Sequence, residues 1–167
     1  MLWIRGLIFT ALEPVAVAWI LPAAIDPGAH RRGGFWDAGW VLIAGGGMTY
    51  LLCLGRFLAA GGTPAIFFSR ALRWVLGEEP ARLVTGGLYR YSRNPMYLGV
   101  LLVVFGQAIV FASPVLAVYG GGVFVFFHLV VVWLEEPHLR AARGQSYELY
   151  CRTVPRWVGL PRRARKL

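Results

Sequence analysis

Residues 97–112, YLGVLLVVFGQAIVFA, and residues 115–134, VLAVYGGGVFVFFHLVVVWL, are two apolar runs separated by the break Ser113-Pro114. Their lengths suit membrane-crossing helices, because lipid offers no partners for backbone N–H and C=O groups and a helix satisfies its own. Folded back as an antiparallel hairpin, the runs bring the residues before Tyr97 beside the residues after Leu134. The stretch from Leu88 to Gly99, LYRYSRNPMYLG, is then expected to meet Glu135-Glu136 at one membrane face.

The rest of the chain agrees with a membrane setting. At 167 residues it has the length of one domain, 1–167, yet 57% of its residues are hydrophobic. Its mean hydropathy of +0.58 exceeds that of an ordinary soluble domain. Further apolar runs at about 7–25 and 38–60 bring the expected total to about four transmembrane helices, an all-α integral membrane fold whose C-terminal hairpin carries the site. Arg5 before the first run also resembles a signal peptide, but Glu13-Pro14 interrupts the apolar stretch and the run is long for one. It is read as a retained span.

Four crossings put both termini and the connector 61–95 on the same side. Of 17 lysines and arginines, only Arg31 and Arg32 fall opposite, so the positive-inside rule places both termini in the cytoplasm and the chain in the cell (inner) membrane. The net charge of +9 is then largely topological. Nucleic acid is not an expected partner, since no soluble domain is left to present a groove-reading element. Cys53 and Cys151 stand apart and imply neither a disulfide framework nor a metal site.

Between the spans, Pro64 to Leu76 places Ile66, Phe67, Ala71, Leu72 and Val75 on one face, as in an interfacial amphipathic helix. Pro137 is expected to open a cytoplasmic helix through Tyr150, weakened in its middle by Gly144. The tail Arg162-Arg163-Ala164-Arg165-Lys166 suits anionic headgroups or a solvated end equally. Gly45-Gly46-Gly47 and Gly120-Gly121-Gly122 fall inside spans, where small residues let helices approach, and lack the strand–helix context of a nucleotide loop.

Several motifs in order resemble the integral-membrane methyltransferases of the isoprenylcysteine carboxyl methyltransferase and phospholipid methyltransferase type. They are Leu83-Val84-Thr85-Gly86-Gly87-Leu88-Tyr89, Arg93-Asn94-Pro95-Met96-Tyr97-Leu98-Gly99, Glu135-Glu136 with Leu139, and Tyr147, Tyr150 and Val154-Pro155-Arg156. The resemblance covers about 81–157. It implies transfer of a methyl group from S-adenosylmethionine to a membrane-dissolved acceptor: a phospholipid amine, an isoprenylcysteine-like carboxylate or a lipophilic thiol. By the same resemblance Arg82, Leu83, Val84 and Tyr89 would line the donor pocket, and Asn94, Pro95, Met96 and Tyr97 would close it. Glu135 would contact the donor, and Glu136 would do the same or orient a neighbour. A carboxylate near the donor's ammonium or ribose hydroxyls makes electrostatic sense.

Arg93 and His128 are the catalytic candidates. Arg93 suits the donor carboxylate or the acidic pair, and the sequence does not choose. His128 lies seven residues before Glu135, on the same face of a regular helix, where it is either a base in the acceptor cavity or a partner to another helix. Gly99 admits either the cofactor or a helix at close range. Glu13 suits a kink beside Pro14, and Gln107 suits helix–helix bonding. Two positions depart from the prenylcysteine branch of the family: Val131 stands where that branch has an arginine, and Asn94 where it has a histidine. The competing reading is a small transport or scaffold protein in which Glu13, His128 and the acidic pair form a polar pathway. Oligomeric state is not readable from the sequence.

Overall fold

The computed structural model describes Ile4 and residues 14–29, 36–63 and 80–160. Glu13, the amphipathic stretch from Pro64 to Leu76 and the basic tail lie outside the described residues. Those described form helices and turns, with no strand among them. We label the helices α1 (Ala16–Ile25), α2 (Trp36–Ala59), α3 (Pro95–Val110), α4 (Pro114–Arg143) and α5 (Gln145–Thr153). A 3-10 turn at Gly87–Arg90 precedes α3. Among the described residues, two helices are long and apolar enough to cross a bilayer, Asp37–Ala59 and Pro114–Arg143. With 16 residues, α3 rises about 24 Å, less than a full hydrocarbon core.

The closest packing joins α2 and α3 in antiparallel sense, and glycines make it possible. A Cβ on Gly46 would lie 2.5 Å from the Gly99 carbonyl oxygen, and one on Gly99 would lie 2.8 Å from that of Gly46. The contact repeats one heptad away, where a Cβ on either Gly39 or Gly106 would sit 2.8 Å from the other's carbonyl oxygen. Gly99 therefore resolves toward helix approach. Only the middle residue of the first triplet is used, since Gly45 and Gly47 have open space around them. In the second, Gly120 receives the ring of Phe105 while Gly121 and Gly122 are open.

The turn from α3 to α4 is built by Ala112, with φ 45°, and by Ser113, which caps the Leu116 amide at 3.3 Å. Pro114 follows at the first helical position, where its missing N–H costs nothing. Phe105 against Gly120 and Tyr97 against Phe127, with ring centroids 4.4 Å apart, mark α3 and α4 as antiparallel neighbours. On the other flank, Pro22 deprives the Ala18 carbonyl of its usual helical donor, and Gln107 supplies one from α3 at 2.5 Å. Tyr119 of α4 bonds the neighbouring Val17 carbonyl at 2.8 Å.

Pro137 does not open a new helix. The helix runs through it, because the preceding segment Val131–Glu135 widens into a π turn that accommodates a residue with no N–H to donate. Gly144 likewise ends a helix instead of weakening one: with φ 51° it terminates α4 and starts α5. The expected helix from Pro137 to Tyr150 is therefore the end of α4 plus α5.

These contacts distinguish the glycines by their surroundings. Gly46→Ala is expected to destabilise the protein by about 1–3 kcal/mol, because the new methyl meets backbone that cannot rotate away. Gly45→Ala and Gly47→Ala are expected to leave the thermal midpoint in detergent unchanged or slightly raised. Equal losses from all three variants would contradict this packing.

Candidate functional site

The site forms where residues 88–97, the end of the apolar part of α4 and the segment after α5 converge. The π turn prepares it. A widened turn advances each residue by less than the usual 100°, so the consecutive Glu135 and Glu136 both face inward and both are buried. Their partners differ. Tyr97, in the first turn of α3, donates its hydroxyl to Glu135 Oε1 in a short hydrogen bond.

Glu136 is the centre of an arginine cluster. Arg156 forks onto it, Nε to Oε1 at 2.6 Å and Nη2 to Oε2 at 3.1 Å. Arg140, one turn further along α4, reaches Oε2 at 3.1 Å, and Arg93 Nη1 approaches Oε1 at 3.1 Å. Each carboxylate oxygen thus has two guanidinium nitrogens against it, which fills the acceptor capacity of the group. With its side chain 3% exposed, Glu136 is an internal tie and has no lone pair left for a ligand.

Arg93 is held as tightly. Its side chain is 10% exposed, and Nη1 also reaches Cys151 Sγ at 2.7 Å and the Tyr147 hydroxyl at 3.5 Å. Its amide donates to the Pro155 carbonyl at 3.0 Å. Its Nε, by contrast, is buried with no hydrogen-bond partner among the described residues. The sequence left Arg93 between the donor carboxylate and the acidic pair; in the structure Nη1 serves the acidic pair and Nε remains available.

The preceding loop is fastened from several sides. Tyr150 donates its hydroxyl to the Tyr89 carbonyl at 2.7 Å, and the Tyr89 ring stands edge-on to Phe57 of α2 at 5.8 Å. Arg143 bonds the carbonyls of Ala81 and Pro80 at 2.5 and 2.6 Å. Asn94 donates Nδ2–H to the Arg156 carbonyl at 3.0 Å, and its amide is capped by Ser92 Oγ at 3.0 Å. Burial pushes the phenols of Tyr89, Tyr147 and Tyr150 well above the usual tyrosine range, so each remains protonated and able to donate.

Among the remaining expected residues, Leu83 packs on Tyr147, Tyr150 and Val154, whereas Val84 and Met96 pack on Cys53, Phe57 and Tyr89. Pro95 starts α3 and is buried, and Arg82 is exposed. His128 does not join the carboxylates: its Nδ1 accepts from Trp157 Nε1 at 3.2 Å. The sequence reading missed Arg140, Arg143, Ser92 and Trp157. Arg140 had a legible signal, its four-residue helical spacing from Glu136. Ser92 had a local one, its place two residues before Asn94 at the start of α3, whereas Arg143 and Trp157 act across long stretches of chain and left none.

Comparison with known proteins adds family membership to this geometry. The chain is 32% identical over 81 residues to protein-S-isoprenylcysteine O-methyltransferase B of Arabidopsis thaliana, covering 48% of this chain and 41% of that protein. It is 34% identical over 76 residues to a methanethiol S-methyltransferase of Crocosphaera subtropica, covering 46% and 29% respectively. A protein-S-isoprenylcysteine O-methyltransferase of Schizosaccharomyces pombe matches at 27% over 112 residues, 65% of this chain and 47% of that protein. The chain thus spans less than half the length of each of these relatives. No solved structure matches. The family model for phospholipid methyltransferase matches residues 38–146, well over half of the sequence and inclusive of nearly all of α2, of α3 and α4, and of the acidic pair. The chain belongs to the phospholipid methyltransferase family.

Proposed function

We propose that the chain is an S-adenosylmethionine-dependent methyltransferase that acts on a lipophilic acceptor dissolved in the membrane. The observation that carries this reading is the convergence of Tyr97–Glu135 and the buried Arg93 at the meeting of α3 and α4. It joins two groups of opposite charge, as an amino-acid-bearing ligand requires. The Arg93 Nε–H, which has no hydrogen-bond partner among the described residues, suits the donor's carboxylate, and Glu135 suits its ammonium or ribose hydroxyls. Arg82, Leu83, Val84 and Tyr89 would border the donor, with Asn94, Pro95, Met96 and Tyr97 on its closing side. Gly99 and Glu136 act one step back, the first by seating α3 on α2 and the second by holding Arg93.

When bound, S-adenosylmethionine supplies an electrophilic methyl carbon on its sulfonium. The protein's work is then mainly placement, because holding two reactants in line can account for several powers of ten in rate. Arg93 and Glu135 orient one partner from the polar side. The apolar surfaces of α3 and α4 guide the other from the bilayer. In this reading the chain crosses the membrane four times with both termini cytoplasmic, so a water-soluble donor and a lipid-soluble acceptor meet at the inner face. The relatives are O- and S-methyltransferases by name and the family is that of phospholipid methyltransferase, which supports a lipophilic nucleophile as the shared acceptor class. Val131 and Asn94 favour acceptors other than a prenylcysteine carboxylate.

Saturable S-adenosylhomocysteine binding to the full chain in detergent, measured by calorimetry, is the direct test; a folded protein that shows none contradicts the proposal. Glu135→Ala is expected to abolish that binding. Arg93→Lys keeps the charge beside Glu136 but lacks Nε–H, and should weaken binding about tenfold while the thermal midpoint stays close to that of the native chain. Glu136→Ala removes the counter-charge of the buried Arg93 and should lower stability by about 3 kcal/mol in denaturant titrations. Truncation of the half-exposed Arg140 should cost under about 1 kcal/mol.

A further inference from the structure

The segment after α5 lies antiparallel to residues 91–94. The Arg93 amide donates to the Pro155 carbonyl at 3.0 Å, and the Gly159 amide donates to the Tyr91 carbonyl at 3.2 Å. Between these bonds Trp157 is carried onto α4. Its ring lies edge to edge with that of His128 and nearly parallel to it, with centroids 6.1 Å apart and planes 27° apart, and beside Phe124 at 5.2 Å. Its indole N–H points to His128 Nδ1 at 3.2 Å.

This bond determines what His128 can do. An indole nitrogen only donates, so Nδ1 must offer its lone pair, and a neutral imidazole with a lone pair on Nδ1 carries its proton on Nε2. Nε2–H has no partner among the described residues and is not sealed inside the protein. His128 also adjoins Phe127, which packs on Tyr97, and precedes Glu135 by about 10 Å along the helix. A donor at that depth, on an apolar helix, gains most from an oxygen brought by a membrane-dissolved molecule.

We propose that Trp157 is a positioning residue that locks His128 as an Nε2–H donor, and that His128 recognises an oxygen of the methyl acceptor instead of serving as its base. The inference rests on the methyltransferase reading above for the identity of the acceptor, and on the hydrogen-bond geometry alone for the state of His128. The oxygen has two sources, the head group and ester region of a phospholipid or the carboxyl group of a lipid-linked amino acid.

The test uses the full chain with 15N-labelled histidine in a non-ionic maltoside detergent, with His128→Gln identifying the resonances of His128. Wild-type His128 is expected to give the Nε2–H pattern, and Trp157→Phe a mixture of both tautomers. Phosphatidylethanolamine and N-acetyl-S-farnesylcysteine are then added separately; the probe that shifts the Nε2 resonance names the source of the oxygen. An Nδ1–H pattern in the wild type, or an Nε2 resonance that neither probe moves, overturns the proposal. These readings need neither donor nor turnover, so they stand apart from a failure to bind S-adenosylhomocysteine. With the probe that binds, His128→Ala should raise KM about tenfold at similar kcat. His128→Gln, whose amide replaces the donor and offers no base, should recover most of that loss. Equal loss of kcat in both variants would identify a base and refute recognition.

Discussion

A carboxylate withdrawn from water must be surrounded by compensating charge, and Glu136 meets this demand with guanidinium groups from separate parts of the chain. Arg93 comes from the segment that starts α3, Arg140 from the end of α4, and Arg156 from beyond α5. Glu136 ties these segments together, because losing Arg93 or Arg156 would leave its buried charge with fewer partners. The neighbouring Glu135, turned inward by the same π turn, is thereby presented to Tyr97 in a frame already braced by ion pairs.

The same accounting of polar groups explains the helices. Pro22 and Pro137 lie inside helices, and each is met by a π turn in the residues before it, Ala16–Ile20 ahead of Pro22 and Val131–Glu135 ahead of Pro137. At the first, the released carbonyls of Val17 and Ala18 are claimed by Tyr119 and Gln107. Side chains of neighbouring helices thus complete a backbone that its own sequence interrupts. In a lipid environment an unclaimed carbonyl would be costly, which gives Gln107 a structural purpose.

Much of the site was legible because it depends on local signals. Apolar runs and the Ser113-Pro114 break were enough to bring Tyr97 near Glu135, and Arg93 near Glu136. The division of labour between the two glutamates was not legible, since it depends on a π turn that has no periodic signature. The pairing of His128 with Trp157 was hidden for a different reason: a regular helix puts His128 and Glu135 on one face, whereas here the wider turn and the returning chain separate their environments. The glycine triplets pointed to close helix contact but not to Gly46 or Gly120, because the choice depends on the register of a second helix.

The antiparallel run of residues 155–159 along 91–94 also links two chemistries that lie at different heights of α4. Its Arg156 is the forked partner of Glu136, and its Trp157 is the indole donor to His128. One short segment thus ties the charge cluster and sets the state of the histidine together. A change that loosens this segment would disturb both ends of the site at once.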